Sequence, residues 1–151
     1  MDNKFLTLEE LKYVYEYTIE NYTYDEPLNS FDTANFNKLE SALYAPQRQY
    51  FNHTLYPTLE EQASVLFYEI IKLHPFINGN KRVACVSLLT FLAINEFWID
   101  MRWKELYALA QSVASSVSED RIIIQEEIVK RIKNNIKRIS LEDFIEGLNH
   151  Y

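Results

Sequence analysis

The chain has 151 residues, of which 48% are hydrophobic, and its net charge is -7. This length predicts one domain over residues 1–151 with a single core, and the acidic balance argues against nucleic acid as a partner. A single cysteine excludes an intrachain disulfide, no apolar run is long enough to span a membrane, and the first residues lack a signal-peptide pattern, so we expect a cytoplasmic protein with no membrane contact.

Glycine is unusually scarce, with only Gly79 and Gly147 in the whole chain. Walker-type and Rossmann-type phosphate loops need two or three glycines within a few residues, so both patterns are absent. Hairpin-rich folds are also disfavoured, because their turns use glycine. A phosphate-binding site in this chain therefore needs some other device.

Two helices are predicted in the first third of the chain. Residues 7–10, Thr-Leu-Glu-Glu, fit a capping box and predict a helix that begins after Thr7. Its apolar face would carry Leu8, Leu11, Val14 or Tyr15, and Ile19. Residues 22–32 have the composition of a loop. A second helix is predicted from about Thr33 to Ala45, because a helix usually ends before a proline such as Pro46.

The next segment does not have a helical period. Residues 47–57 are rich in aromatic side chains with partial alternation, which predicts an extended flap or a short hairpin. Residues 58–61, Thr-Leu-Glu-Glu, form a second capping box and start a helix that runs to about Leu73. Because Pro75 disfavours helical geometry at His74, we expect the helix to end there.

The remainder of the chain is predicted to be helical as well. A helix over about residues 80–97 is apolar nearly all round, so we expect it to be the central helix. Another is predicted over residues 103–116, a third begins near Ser118, and Ser140 opens a short terminal helix. The third repeats isoleucine at helical spacing at Ile124, Ile128, Ile132, Ile136 and Ile139. The sequence thus predicts an all-α domain of six or seven helices.

Polar and charged residues are concentrated in residues 74–82, the motif segment, which lies between two apolar helices. Such a conflict between composition and packing is expected at functional sites. The segment suits a polyphosphate, because the first amides of a helix bind anions and Gly79 permits close approach of the backbone. Asn80 can donate to a phosphate oxygen, Lys81 adds a point charge and Arg82 a bidentate fork.

Other residues of the chain have a functional and an ordinary interpretation. His74 is the natural general base, and the amide oxygen of Asn78 is a candidate ligand for Mg²⁺. Cys85 is expected to be a small core residue, and the basic residues from Lys130 to Arg138 a solvated helix face. Glutamates at positions 60, 61 and 69 are interpreted as helix-surface and capping residues.

The motif segment resembles the signature of the Fic/Doc family, H-x-F-x-(D/E/N)-x-N-(G/K)-R, and matches it at every fixed position. The resemblance extends over roughly residues 36–98. It implies a compact Fic-fold helical domain that moves a phosphoryl or AMP group from a nucleotide such as ATP, with Mg²⁺. The acceptor would be a Ser, Thr or Tyr hydroxyl of a target protein.

The resemblance also implies a role for each motif position. His74 would deprotonate the target hydroxyl, Phe76 would be a buried anchor, and Asn78 would occupy the metal-ligand position. The nucleotide phosphates would be bound by Gly79, Asn80, Lys81 and Arg82. A flap that pairs with the target would comprise Gln49, Tyr50, Phe51, Asn52, His53, Thr54 and Leu55.

Two positions depart from the usual Fic form. Asn78 is neutral where AMP-transferring members usually carry Asp or Glu, and Lys81 stands where typical Fic members have glycine, which is the Doc-like form. These departures favour a Doc-like kinase over an AMP transferase. The self-inhibitory pattern (S/T)-x-x-x-E-(G/N) has no match, so we expect a separate antitoxin chain. The alternatives are a weakened nucleotide-binding or protein-binding module and a purely structural helical domain.

Overall fold

A computed structural model of the chain describes residues 2–21, 27–140, 142–143 and 146. Over these residues the fold is built on six α-helices, which confirms the predicted all-α class. The helices are α1 (Leu8–Asn21), α2 (Phe36–Tyr44), α3 (Leu59–Leu73), α4 (Asn80–Ile94), α5 (Trp103–Ser115) and α6 (Arg121–Asn135). Two antiparallel pairs of short strands are β1 (Gln49–Tyr50) with β2 (His53–Thr54) and β3 (Phe97–Ile99) with β4 (Ile136–Arg138).

The threonines of both predicted capping boxes cap their helices, α1 and α3, and the box at Thr7 is reciprocal. The Thr7 hydroxyl oxygen accepts from the Glu10 amide at 3.1 Å, and the Thr7 amide donates to the Glu10 carboxylate at 3.4 Å. Thr58 accepts from the Glu61 amide at 3.1 Å, and its hydroxyl donates to the Glu61 carboxylate. Each pair satisfies amides that have no partner inside the helix.

Details of the first two helices differ from the prediction. Leu11, Val14 and Tyr15 are buried on α1, but Ile19 is 38% exposed and Thr18 takes the buried position instead. The Thr18 hydroxyl donates to the Val14 carbonyl, so its burial leaves no polar group unsatisfied. Helix α2 begins at Phe36, and not near residue 33, because Asn35 caps it by accepting from the Lys38 amide.

The centre of the fold is shared by α3 and α4. Helix α4 is buried on most sides, as predicted, but every residue of α3 from Gln62 to Ile71 is buried too. Helix α3 packs against α2, α4, α5 and α6. We expected α3 to be apolar but placed only α4 at the centre, because α3 also carries Gln62, Ser64 and Glu69, polar residues that the fold buries with partners.

The C-terminal part contains strands that the sequence analysis missed. Helix α4 ends at Ile94, and Glu96 has a φ of +66°, so the chain turns into β3 where a helix was predicted to run to residue 97. Helix α6 likewise ends at Asn135, and Ile136 begins β4. Strands β3 and β4 pair with each other, with Ile99 opposite Ile136. Both strands continue the apolar patterns of the helices before them, and the partner of each strand lies far along the chain, so neither segment reveals the pairing.

The described C-terminal residues include the start of the predicted terminal helix. The Ser140 hydroxyl accepts from the Asp143 amide, as the predicted cap requires, and residues 142, 143 and 146 are helical. The other residues of that predicted helix, and residues 22–26 of the predicted loop, lie outside the described residues. Across the described part of the chain, no helix combines the length and the apolar character that crossing a membrane requires.

Candidate active site

Residues 74–79 connect α3 to α4, and two left-handed residues shape this turn. Helix α3 ends because His74 takes a left-handed backbone, with φ +54° and ψ +56°, immediately before Pro75. Gly79 precedes α4 with φ +78°, a conformation that glycine adopts without cost. A Cβ atom at Gly79 would also collide with the side chain of Leu28.

Asn80 holds the turn closed. Its side-chain oxygen accepts from the Phe76 amide at 3.0 Å, and its side-chain nitrogen donates to the Phe76 carbonyl at 2.9 Å. The residue is only 4% exposed. One N–H of the Asn80 amide remains beyond these two bonds, so the predicted contact with a phosphate would have to use that hydrogen or the backbone.

Phe76 anchors the turn from below. It is 2% exposed, and its ring stacks on Tyr15 with centroids 4.5 Å apart and lies 6.0 Å from the ring of Phe31. The Pro75 carbonyl accepts from the Asn35 amide at the start of α2. Aromatic packing on α1 and a hydrogen bond to α2 therefore fix the turn on two sides.

The motif segment lines a cleft of about 330 Å³. Its walls bring together the predicted base His74, the candidate metal ligand Asn78 and the predicted phosphate-binding residues. The lining residues are Ile71, His74, Ile77, Asn78, Gly79, Asn80, Lys81, Arg82, Tyr107 and Ala114. His74 is exposed, so a group outside the protein can reach its ring. The volume falls at the lower end of the range for small-molecule sites.

A larger cleft lies at the opposite end of α4. It encloses about 620 Å³ beside Ala93 and Ile94 and includes Lys4 and Glu96. The length of α4 separates it from the motif segment by roughly 20 Å. It contains none of the motif residues, so the smaller cleft is the candidate active site.

The electrostatics of the candidate site favour an anion. Gly79, at the N-cap of α4, has no side chain to occupy the amides of the first turn, and that turn carries Lys81 and Arg82 and no acidic residue. Arg82 is only 3% exposed. Burial raises the pKa of the Tyr15 hydroxyl, and the positive charge of Arg82 nearby lowers it in part. The helix dipole and two cations thus act in the same cleft.

Asn78 is engaged with a neighbouring segment. Its side-chain oxygen accepts from the Asn29 backbone amide at 3.4 Å and from the Asn29 side chain at 3.3 Å, and its nitrogen donates to the Pro27 carbonyl at 2.7 Å. None of the described lining residues has a carboxylate, and the described part of the chain has no cluster of three acidic, His or Cys residues that could hold a metal. These residues do not fit a metal held by the protein alone.

The flap forms the predicted hairpin. Gln49 pairs with Thr54 and Tyr50 with His53, and the two turn residues Phe51 and Asn52 both have positive φ, at +48° and +63°. Two successive positive φ angles are typical of a type I′ turn, whose twist matches the two strands. Among the flap residues, Tyr50, Phe51 and Leu55 are large exposed hydrophobic side chains. The flap does not line the cleft itself.

Sequence reasoning missed two contributors to this region. Tyr107 of α5 lines the cleft and stacks on Trp103 at 6.2 Å, and nothing in its local sequence distinguishes it from a packing residue. Glu69 was interpreted as a helix-surface or capping residue, but it is 4% exposed and forms ion pairs with Arg121 and Arg48. Both residues gain their role from parts of the chain that are distant in sequence.

Comparison with known proteins decides the family. A model described as the Fic/DOC family matches residues 5–92, which is more than half of the chain and includes the flap and the motif segment. The chain belongs to the Fic/Doc family. It is similar to Toxin Doc of Mycolicibacterium smegmatis, with 33% identity over 61 residues that cover 40% of this chain and 47% of the relative. The Fic/Doc chain thus spans about half the length of this curated relative. A comparison of this chain with solved structures found no match.

Proposed function

We propose that this Fic/Doc protein transfers a phosphoryl or AMP group from ATP to a Ser, Thr or Tyr hydroxyl of a target protein. The observation that carries the proposal is the cleft in which exposed His74 lies beside the start of α4, where the N-cap is Gly79 and the first turn carries Lys81 and Arg82. A base and an anion site in one cleft are what phosphoryl transfer needs, since its catalysis consists mainly of positioning and charge stabilisation.

In the proposed reaction the target oxygen attacks phosphorus while His74 takes the proton of the hydroxyl. One phosphorus–oxygen bond forms to the target and one phosphoanhydride bond breaks. Attack at the γ-phosphorus releases ADP, whereas attack at the α-phosphorus releases pyrophosphate. The first amides of α4, Lys81 and Arg82 hold the phosphate oxygens and stabilise the charge that develops on them.

A Doc-like kinase is the form of this proposal that we favour. The cleft carries Lys81 where typical Fic members have glycine, and neutral Asn78 where AMP-transferring members usually have an acid. We propose that Mg²⁺ enters with ATP, held mainly by phosphate oxygens, because Asn78 offers at most one neutral oxygen. Mg²⁺ prefers such shared sites, in which it neutralises phosphate charge.

The biological setting is proposed by similarity. The likeness to Toxin Doc supports a toxin of a toxin–antitoxin pair, which acts in the cytoplasm and is restrained by a separate antitoxin chain. The absence of a self-inhibitory pattern in the sequence points in the same direction.

A second candidate function is a weakened module that binds nucleotide or protein without turnover. The specific observation in its favour is the engagement of Asn78, whose amide oxygen already accepts two hydrogen bonds from Asn29. If those bonds persist when nucleotide is bound, the metal loses its one protein ligand. This candidate predicts nucleotide binding without transfer.

A label-transfer assay separates these possibilities. Purified protein is mixed with bacterial lysate, Mg²⁺ and ATP labelled at the α- or the γ-phosphate, with His74→Ala as the control. We expect label from the γ-phosphate on a lysate protein with the wild type and none with the variant. Label from the α-phosphate would indicate an AMP transferase. Equal results for both proteins would contradict the transferase proposal.

A further inference from the structure

A buried carboxylate on α3 joins two arginines from different parts of the fold. Glu69 is 4% exposed, and its oxygen pairs with Arg121, at the first position of α6, and lies 4.0 Å from a guanidinium nitrogen of Arg48. We call these three residues the Glu69 cluster. A buried charge is tolerated only when it is paired and hydrogen-bonded, so the cluster fixes the positions of its members.

The residues on either side of the flap, Arg48 and Tyr56, attach it to the rest of the fold, and we call them its feet. Arg48 is the first foot. It precedes β1 directly, and its carbonyl accepts from the Leu55 amide at 3.0 Å, which closes the base of the hairpin. Its guanidinium also donates to the Ser41 hydroxyl at 2.9 Å on α2. The residue on which the hairpin closes is therefore held between α2 and Glu69.

Tyr56 is the second foot of the flap. Its carbonyl accepts from the side chain of Gln62 on α3 at 3.0 Å. Burial lowers the pKa of Arg121, but the hydrogen bond and the negative charge of Glu69, with a smaller contribution from Tyr56, outweigh that effect and raise it. Arg121 also lies over the Tyr68 ring at 4.9 Å. Both feet of the flap are thus held by α3, Arg48 through Glu69 and Tyr56 through Gln62.

The geometry points to Glu69 as a positioning residue that sets the flap relative to His74. Both residues belong to the same stretch of chain, Glu69 inside α3 and His74 directly after its last turn, roughly 7–8 Å further along the axis. The flap residues 49–55 have little burial of their own, so their orientation depends on the two feet. This inference rests on the proposed function, in which the flap holds the target beside His74.

The experiment compares Glu69→Gln and Arg48→Gln with Glu60→Gln, a control on the same helix outside the Glu69 cluster. ¹⁵N relaxation order parameters are measured for residues 48–56 in each full-length protein. We expect the flap values to fall below about 0.6 in the first two variants and to stay at the wild-type level in the control, while α4 remains near 0.85. This measurement needs no transfer activity. It therefore tests the positioning role of Glu69 even if the proposed function is wrong.

The second arm measures function. With the target identified by label transfer, we expect kcat/KM for the target to fall about 10- to 100-fold in Glu69→Gln, mainly through KM, because a small misplacement of reacting groups has effects of this size. The Kd for ATP should stay within about twofold, because the cluster lies outside the cleft. An unchanged flap, or equal loss of order in the flap and α4, would overturn the positioning role.

Discussion

The motif segment and the flap are both short and carry aromatic residues, yet the fold holds them in opposite ways. The turn of the motif segment is fixed from within, by buried Phe76 below it and by the two hydrogen bonds of Asn80 across it. The flap exposes all seven of its residues and is attached through its feet. Chemistry needs groups held in place before substrate arrives, whereas docking of a protein segment tolerates an adaptable surface.

The largest difference between the two regions should be in the free energy of unfolding lost when a phenylalanine of each is replaced by alanine. Phe76→Ala removes a buried ring that stacks on Tyr15, and we expect the free energy of unfolding to fall by about 3–5 kcal/mol. Phe51→Ala truncates a flap side chain that is 79% exposed, and we expect a change within about 0.5 kcal/mol. Urea denaturation measures both. Similar losses would contradict the comparison.

A matched pair of asparagines tests the hydrogen bonds. Asn80→Ala leaves the amide and carbonyl of Phe76 without their partners, which should cost roughly 1–3 kcal/mol for each group that stays buried. Asn52→Gly keeps the positive φ of the flap turn accessible, so its stability should change by less than about 0.5 kcal/mol. Thermal unfolding of both variants is the measurement. A stable Asn80→Ala protein would show that water replaces the lost bonds.

Removing a cation from the cleft should affect nucleotide binding more than stability. Lys81 is half-buried on the cleft wall, and Lys81→Ala should weaken ATP binding by about 1.5–3 kcal/mol, the size of a hydrogen bond to a charged group. Lys12→Ala, at an exposed position on α1, is the control and should bind ATP as the wild type does. Isothermal titration calorimetry measures both. If Lys81→Ala and Lys12→Ala bind ATP with equal affinity, the phosphates do not bind at Lys81.

The smallest effect is expected from the backbone of the turn. Gly79→Ala places a Cβ on a residue with φ +78° and pushes against Leu28, so stability should fall by about 1–2 kcal/mol. Denaturant titration of this variant and the wild type checks the value. Unchanged stability would mean that the turn relaxes to a different conformation.

Much of the fold and of the candidate site could be predicted because its signals are local. The capping pairs at Thr7 and Thr58 fix helix starts, and Pro75 fixes the end of α3, each within a few residues. The motif segment is likewise contiguous, so its residues meet in one cleft almost by necessity.

What could not be predicted depends on contacts between distant segments. Glu69 looks like a surface residue in the sequence, because its partners Arg48 and Arg121 lie in two other parts of the chain. Asn78 looks like a free ligand until the backbone near Asn29 bonds to it. The β3–β4 pair joins segments separated by α5 and α6, and no periodicity within either segment encodes that partner.

If one cleft combines a base with a separate anion site, His74→Asn should remove transfer and leave ATP binding intact. Asparagine tolerates the left-handed backbone of this position but cannot accept a proton at neutral pH. ATP affinity and label transfer are measured on the same preparation. We expect a Kd for ATP within about twofold of the wild type and label transfer reduced by about 10²- to 10⁴-fold. Undiminished transfer, or loss of ATP binding together with transfer, would contradict it.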